Sequence, residues 1–94
     1  MYVRITRGTF DPARYDDVAP LMADVAAALS RLPGFQTYAG GANRSNGTII
    51  AITTWDTESH ARFDRVSLGD ILGRLQDSGV RRDAPETYEL VFEA

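Results

Sequence analysis

The segment Thr48–Trp55 is apolar on both of the faces that a β-strand presents, and this limits the folds open to the chain. Side chains alternate between the two faces of a strand, so Ile50 and Ile52 lie on the same face. The opposite face carries three further apolar residues: Ile49, Ala51 and Trp55. Burying an isoleucine is worth about 2 kcal/mol, so each face favours a protein layer over water. We therefore expect a sheet that is covered on both sides.

Changes in the hydrophobic period predict six elements in the order strand, helix, strand, strand, helix, strand. Alternating residues predict strands at residues 2–10, 35–39, 48–55 and 87–93. The turn-forming run from Asn43 to Gly47 joins the second strand to the third in a hairpin. The last strand should place Tyr88, Leu90 and Phe92 on one face.

Two helices separate these strands. Pro20 is tolerated only in the first turn of a helix, so the first helix should begin near Asp16 or Asp17. Its apolar positions recur every three or four residues, at Val18, Leu21, Met22, Val25, Leu29 and Leu32. The second helix should be capped by Asp56 or Thr57 and end at Gly79. We expect it to run through residues 63–66 and to be broken in two near residues 67–69.

This order of elements is the ferredoxin-like βαββαβ plan of the α+β class, in which two helices cover one face of a four-stranded antiparallel sheet. With 94 residues the chain has room for one domain, spanning residues 1–94. The helices cannot also cover the face of Ile50 and Ile52. We therefore expect a homodimer in which two sheets face each other.

Composition narrows the possible partners and cofactors. The net charge is -3 and the 10 basic residues are dispersed, so we expect no nucleic-acid partner. One histidine and no cysteine predict no metal site. No glycine-rich turn leads from a strand into a helix, so we expect no flavin or nicotinamide cofactor. Arg4 and Arg7 interrupt the first apolar run, which predicts neither a signal peptide nor a membrane span and hence a cytoplasmic protein.

Two runs of residues resemble a known family. They are Leu32-Pro33-Gly34-Phe35, where the first helix stops, and the run from Trp55 through His60 to Ala61, where a strand passes into a helix. In order and spacing they resemble the antibiotic biosynthesis monooxygenase-like proteins. The resemblance implies a dimeric α+β barrel. Members of that family differ in activity: some oxygenate phenols or quinols without a cofactor, some degrade haem, and many have no known activity.

The resemblance also implies site residues. In members that oxidise polyketides, a tryptophan at the position of Trp55 lines the pocket, and an asparagine stands where this chain has Ala51. Members that degrade haem need an asparagine on the first strand. The matching stretch of this chain, residues 4–7, has Thr6 and two arginines instead. Both asparagines are missing here. Their absence favours a protein that binds a ligand without the known family reactions.

The residues themselves suggest a site at the strand-to-helix junction. His60 lies near the start of a helix, whose positive end favours a neutral imidazole, so it is the candidate catalytic base. Trp55 offers an apolar wall, and Phe63 would close the pocket. Thr53 and Ala51 are small enough to leave room for a flat ligand. We therefore expect a small aromatic ligand beside Trp55.

A phenol could be deprotonated in such a pocket and its oxyanion held in place, after which an electron-rich phenolate reacts with oxygen unaided. Arg7 or Tyr38 could hold that anion. Each residue also has a structural reading. A lone tryptophan at the end of a strand is more often part of a core, and a polar residue near a helix start is more often half-exposed. The charged run Arg81-Arg82-Asp83 is typical of a solvated loop.

Two hypotheses about function follow. The first is a cofactor-independent monooxygenase that acts on a small aromatic phenol or quinol, with Trp55 and His60 bordering one pocket. The second is a non-catalytic dimeric barrel that binds a small ligand or serves as a stress-related accessory protein. The retained tryptophan and histidine favour the first, and the missing asparagines favour the second.

Overall fold

A computed structural model describes all 94 residues of the chain. Its strands are β1 (Tyr2–Thr9), β2 (Phe35–Asn43), β3 (Thr48–Trp55), β4 (Arg81–Arg82) and β5 (Glu86–Glu89). Its α-helices are α1 (Tyr15–Leu29), α2 (Glu58–Ala61) and α3 (Ile71–Asp77), with 3-10 turns at Pro12–Arg14 and Arg65–Leu68.

The sheet is antiparallel, and its strands lie in the order β2, β3, β1, with β4 and β5 sharing the far edge of β1. Pairing of β1 with β3 runs from Tyr2 opposite Trp55 to Thr9 opposite Thr48. The predicted hairpin joins β2 to β3. This strand order, with helices on one face, confirms the ferredoxin-like α+β fold.

The last strand is shorter than predicted and begins earlier. β5 ends at Glu89, and the backbone N–H of Leu90 donates a final hydrogen bond to the carbonyl of Met1. Because β1 begins at Tyr2, no strand lies beside residues 91–94, and Phe92 remains 81% exposed. Arg82, expected in a loop, instead pairs with Gly8 as part of β4.

Helix α1 begins at Tyr15, slightly before the predicted start, so Pro20 lies in its second turn rather than its first. A 3-10 turn leads into it, because the Asp11 carboxylate accepts a hydrogen bond from the N–H of Ala13 at 3.0 Å. Pro20 is exposed on the helix, where water can reach the carbonyl group that lacks its N–H partner. The predicted helical face is correct as far as Leu29, which is buried in the core.

The second predicted helix is broken twice, not once. α2 stops at Ala61, and the Asp64 carboxylate then accepts from the N–H of Val66, which starts the 3-10 turn. Gly69 takes a φ of 65° before α3 begins. The expectation of a helix through residues 63–66 was wrong, because Asp64 caps a new turn there. Val66 is consequently 82% exposed.

The helices pack on one face of the sheet only. Trp55 and Val18, the largest side chains with almost no exposure, lie in that layer. The opposite face, here called the outer face, carries five large apolar side chains by strand register: Val3, Ile5, Ile50, Ile52 and Tyr88. No element of the chain covers the outer face, and Tyr88 is 49% exposed there. None of the helices combines the length and apolar character needed to cross a membrane.

Candidate functional site

A cavity of about 100 Å³ lies between the inner face of the sheet and the helices α1 and α3. Small residues of β1 and β3, Gly8, Ala51 and Thr53, contribute to its sheet side. Apolar side chains from the helical layer form the wall opposite the sheet: Met22, Val25, Leu29, Leu68, Leu72 and Leu75. Such a lining suits the body of a small apolar ligand.

Thr53 and Phe63, two of the predicted binding residues, line this cavity. Thr53 is buried, and its hydroxyl oxygen accepts a hydrogen bond from the indole N–H of Trp55 at 2.8 Å. The ring of Phe63 packs on the indole with ring centroids 5.1 Å apart. Both side chains are therefore held in the wall by contacts behind it.

Tyr38, on β2, also lines the cavity. It lies opposite Thr53 in the strand pairing, so the two side chains are neighbours on the inner face. Burial raises the pKa of the Tyr38 hydroxyl above its ordinary value. The hydroxyl is thus protonated at neutral pH and can donate a hydrogen bond to a ligand.

Trp55 lies behind the cavity wall rather than in it. Its exposed fraction is 0%, and Phe35 contacts it edge-on with ring centroids 5.6 Å apart. Its only N–H is already bonded to Thr53, so it has no polar group left for a ligand. The expectation that Trp55 borders the pocket does not match this packing, because the indole is enclosed between Phe35 and Phe63.

His60 lies outside the cavity lining as well. Its Nδ1 is 2.7 Å from the Asp56 carboxylate, and the side chain is 40% exposed. The hydrogen bond from His60 is the main cause that lowers the pKa of Asp56. A side chain on Gly34 would collide with both groups, so this pair is held close to the turn before β2. Trp55 and His60 therefore do not border one pocket; a role of His60 as a base stays a prediction.

The guanidinium of Arg7 is bound elsewhere. Its Nη1 lies 2.7 Å from the Glu86 carboxylate, in an ion pair that is half exposed. Arg7 alternates with Thr6 and Gly8 along β1, so its side chain points to the outer face, although the residue borders the cavity. Arg7 can hold a ligand anion only if this ion pair opens.

Sequence reasoning missed three arginines at the mouth of the cavity: Arg4, Arg65 and Arg82. A wider groove of about 560 Å³ adjoins the cavity there and shares these three residues with it. Tyr2 and Phe10 are inward-facing residues of the first strand, and the same alternation would have placed Arg4 inward. Strand alternation was therefore the signal for Arg4, whereas Arg65 and Arg82 depend on the unpredicted 3-10 turn and β4.

Arg4 is fixed in place by two contacts. Its Nη1 donates a hydrogen bond to the carbonyl of Ala61 at 3.0 Å, and its guanidinium carbon lies 4.0 Å from the centre of the Phe63 ring. Burial, and then the charge of Arg82, lower the pKa of Arg4. The side chain remains a cation at neutral pH. A fixed positive charge therefore stands beside an aromatic wall of the cavity.

No group of three or more His, Asp or Glu side chains is arranged to hold a metal ion. The polar groups of the cavity are thus hydroxyl and guanidinium donors. Such donors can bind and stabilise an anion.

No protein-family model matches the sequence, and no curated protein matches it either. Similarity is found among solved structures. A candidate antibiotic biosynthesis monooxygenase from Deinococcus radiodurans has a TM-score of 0.78 at 16% identity, covering 100% of this chain and 96% of that one. SnoaB, a cofactor-independent oxygenase from Streptomyces nogalater, has a TM-score of 0.73 at 17% identity, covering 98% and 94%.

A candidate antibiotic biosynthesis monooxygenase from Nitrosomonas europaea has a TM-score of 0.74 at 12% identity, covering 98% of this chain and 100% of that one. The chain therefore has the fold of the antibiotic biosynthesis monooxygenase-like proteins along its whole length. This confirms the resemblance drawn from the sequence at the level of the fold. At these identities a shared fold does not carry a reaction or a substrate with it.

Proposed function

We propose that the protein is a cofactor-independent monooxygenase that acts on a small aromatic phenol or quinol in this cavity. The observation that carries the proposal is an apolar cavity whose polar groups are hydrogen-bond donors and cations. Its fold is shared with a cofactor-independent oxygenase, which supports the same reading. The aromatic body of the substrate would lie against Phe63 and the helix side chains, with its hydroxyl near Tyr38 or Arg4.

The chemistry needs the substrate as an anion. Arg4 would stabilise the phenolate, because a cation beside a nascent oxyanion lowers the cost of losing the proton. The electron-rich phenolate then passes an electron to dioxygen. One oxygen atom enters the ring as a new carbonyl, and the other leaves with two hydrogens as water. His60, bound to Asp56, is the proposed base; because its imidazole lies outside the cavity lining, the proton would reach it through solvent.

We also propose that two copies pack with their outer faces together. The outer face carries five large apolar side chains, and no element of the chain covers them. A second copy would supply that cover. Uncovered apolar faces of this kind mark interfaces. The cavity lies on the other side of the sheet, so the dimer would leave it open.

The second hypothesis keeps a specific observation in its favour. Trp55 has no free polar group, and His60 is bound to Asp56 outside the cavity. A binding protein needs only the cavity and its donors, without a base. Under this alternative, ligands bind but no oxygen is consumed.

Oxygen uptake with a panel of naphthols and naphthoquinols separates the two. The substitution Ala51→Leu adds bulk to the cavity floor, so we expect uptake to fall at least tenfold while ligand-free folding persists. Ala27→Leu, on an exposed part of α1, is the matched control and should keep full activity. His60→Ala should lower uptake if the imidazole is the base. Absence of uptake with every compound would overturn the monooxygenase proposal.

A further inference from the structure

Three arginines from three separate elements meet at the mouth of the cavity. Arg4 comes from β1, Arg65 from the 3-10 turn after α2, and Arg82 from β4. Gly8 makes this meeting possible, because a side chain there would collide with the backbone oxygen of Arg81 and push β4 away. We call Arg4, Arg65 and Arg82 the arginine cluster.

The arginine cluster lacks carboxylate partners. The five ion pairs of the chain join other groups, including Arg62 to Glu58 at 3.2 Å beside the same groove. The chain carries 13 acidic residues against 10 basic ones, so acidic partners are not scarce. Asp83 also lines the groove, yet its carboxylate forms no ion pair with any guanidinium of the cluster. The excess of positive charge is therefore a property of this site and not of the whole chain, whose net charge is -3.

The cluster members raise one another's electrostatic energy. Burial and the charge of Arg82 lower the pKa of Arg4, and burial and the charge of Arg65 lower the pKa of Arg82. Like charges held together are unfavourable until an anion binds between them. Such a cluster of like charges therefore favours the binding of a negatively charged group between its members.

The cluster and the apolar cavity are continuous. Arg4, Phe63, Arg65 and Arg82 belong to the lining of both the cavity and the adjoining groove. A ligand that fills both would have an apolar body among the helix side chains and an anionic end at the guanidinium groups. Guanidinium groups bind carboxylates through paired hydrogen bonds, which fix orientation as well as charge.

We infer that the physiological ligand is an aromatic acid whose carboxylate is held by Arg65 and Arg82, the exposed members of the cluster, while its ring occupies the apolar cavity and its phenolate faces the half-buried Arg4. This inference rests on the proposed function in so far as both place the substrate in the same cavity. It narrows the substrate class from phenols in general to phenols that carry a carboxylate. Within such a molecule the carboxylate stays at the mouth and the reacting ring lies deeper, near Tyr38.

Binding of naphthoate tests the inference, with naphthylmethanol as an uncharged molecule of similar shape. Calorimetry on the unmodified protein should show naphthoate binding roughly tenfold or more tightly, because charge-assisted hydrogen bonds are the stronger kind. Arg65→Gln and Arg82→Gln should each weaken naphthoate roughly fivefold to tenfold and leave naphthylmethanol unchanged. Both side chains are exposed, so circular dichroism should show an intact fold.

Arg31→Gln is the matched control, since Arg31 is exposed, forms no ion pair and lies outside both linings. Its affinity for naphthoate should equal that of the unmodified protein. Equal affinities for the two probes, or an equal loss in all three variants, would overturn the inference.

The same variants separate this inference from the proposed function. If naphthoate binding depends on Arg65 and Arg82 but no phenol is oxidised, the carboxylate site stands and the monooxygenase proposal falls. The opposite outcome is that naphthols are oxidised and that Arg82→Gln leaves kcat/KM unchanged both for naphthols and for hydroxynaphthoate. In that case the monooxygenase proposal stands and the carboxylate site falls.

Discussion

At the scale of single residues, Trp55 shows how a buried side chain supports a cavity without lining it. The indole holds Thr53 by a hydrogen bond and Phe63 by ring packing, and both of those residues face the cavity. Any influence of Trp55 on a ligand is therefore exerted through these two neighbours.

We predict that Trp55→Ala lowers the free energy of unfolding by about 3 to 5 kcal/mol, because a large buried ring leaves a void. Urea denaturation measures the change. Val66→Ala is the control, since Val66 is 82% exposed, and it should change stability by less than about 0.5 kcal/mol. A loss at Trp55 no larger than that of the control would show that the indole is not a core residue.

Which arginine faces the cavity could have been predicted from the register of the first strand. Phe10 is a core residue and the partly buried Tyr2 packs against the core, and residues at even positions between them share their face. Arg4 therefore lies inward and Arg7 outward. Arg7 was predicted to hold an anion from its residue type alone, and the face of the strand on which it lies was not considered. Its partner Glu86 is far away in sequence and could not be foreseen.

At the scale of elements, the order of strands and helices and the hairpin were predictable because each depends on local period and turn residues. The breaks after α2 were harder. Asp64 caps a new turn there, and the preceding Phe63 packs on Trp55, which is a tertiary contact that local periodicity does not predict. The residues of β4 have no apolar pattern, and their pairing depends on the space at Gly8. The arginine cluster was missed for the same reason, since two of its members lie on these segments.

At the scale of the whole molecule, helices cover one face of the sheet and leave the other exposed, and this is the observation behind the proposed dimer. Ile52 is 36% exposed on the outer face and lies opposite Ile5 in the strand pairing. In a symmetric dimer each substitution occurs twice at the interface, so a single charge has a doubled effect.

We predict that the unmodified protein is a dimer of two 10.3 kDa chains and that Ile52→Asp dissociates it. Light scattering after size exclusion measures the mass. Val66→Asp, which places the same charge on an exposed residue outside the sheet, should remain dimeric. A monomeric mass for the unmodified protein would contradict the sheet-to-sheet dimer.

The most direct measurement of the central claim is the fate of dioxygen in the absence of any added cofactor. Protein treated with a chelator and shown to be free of flavin would be mixed with hydroxynaphthoate under dioxygen labelled with the heavy isotope, and the product analysed by mass spectrometry at short times. We predict one labelled oxygen atom in each product molecule, formed faster than in a protein-free control and slowed by Ala51→Leu. Product that carries no label, or that forms only after a metal or flavin is added, would contradict the account.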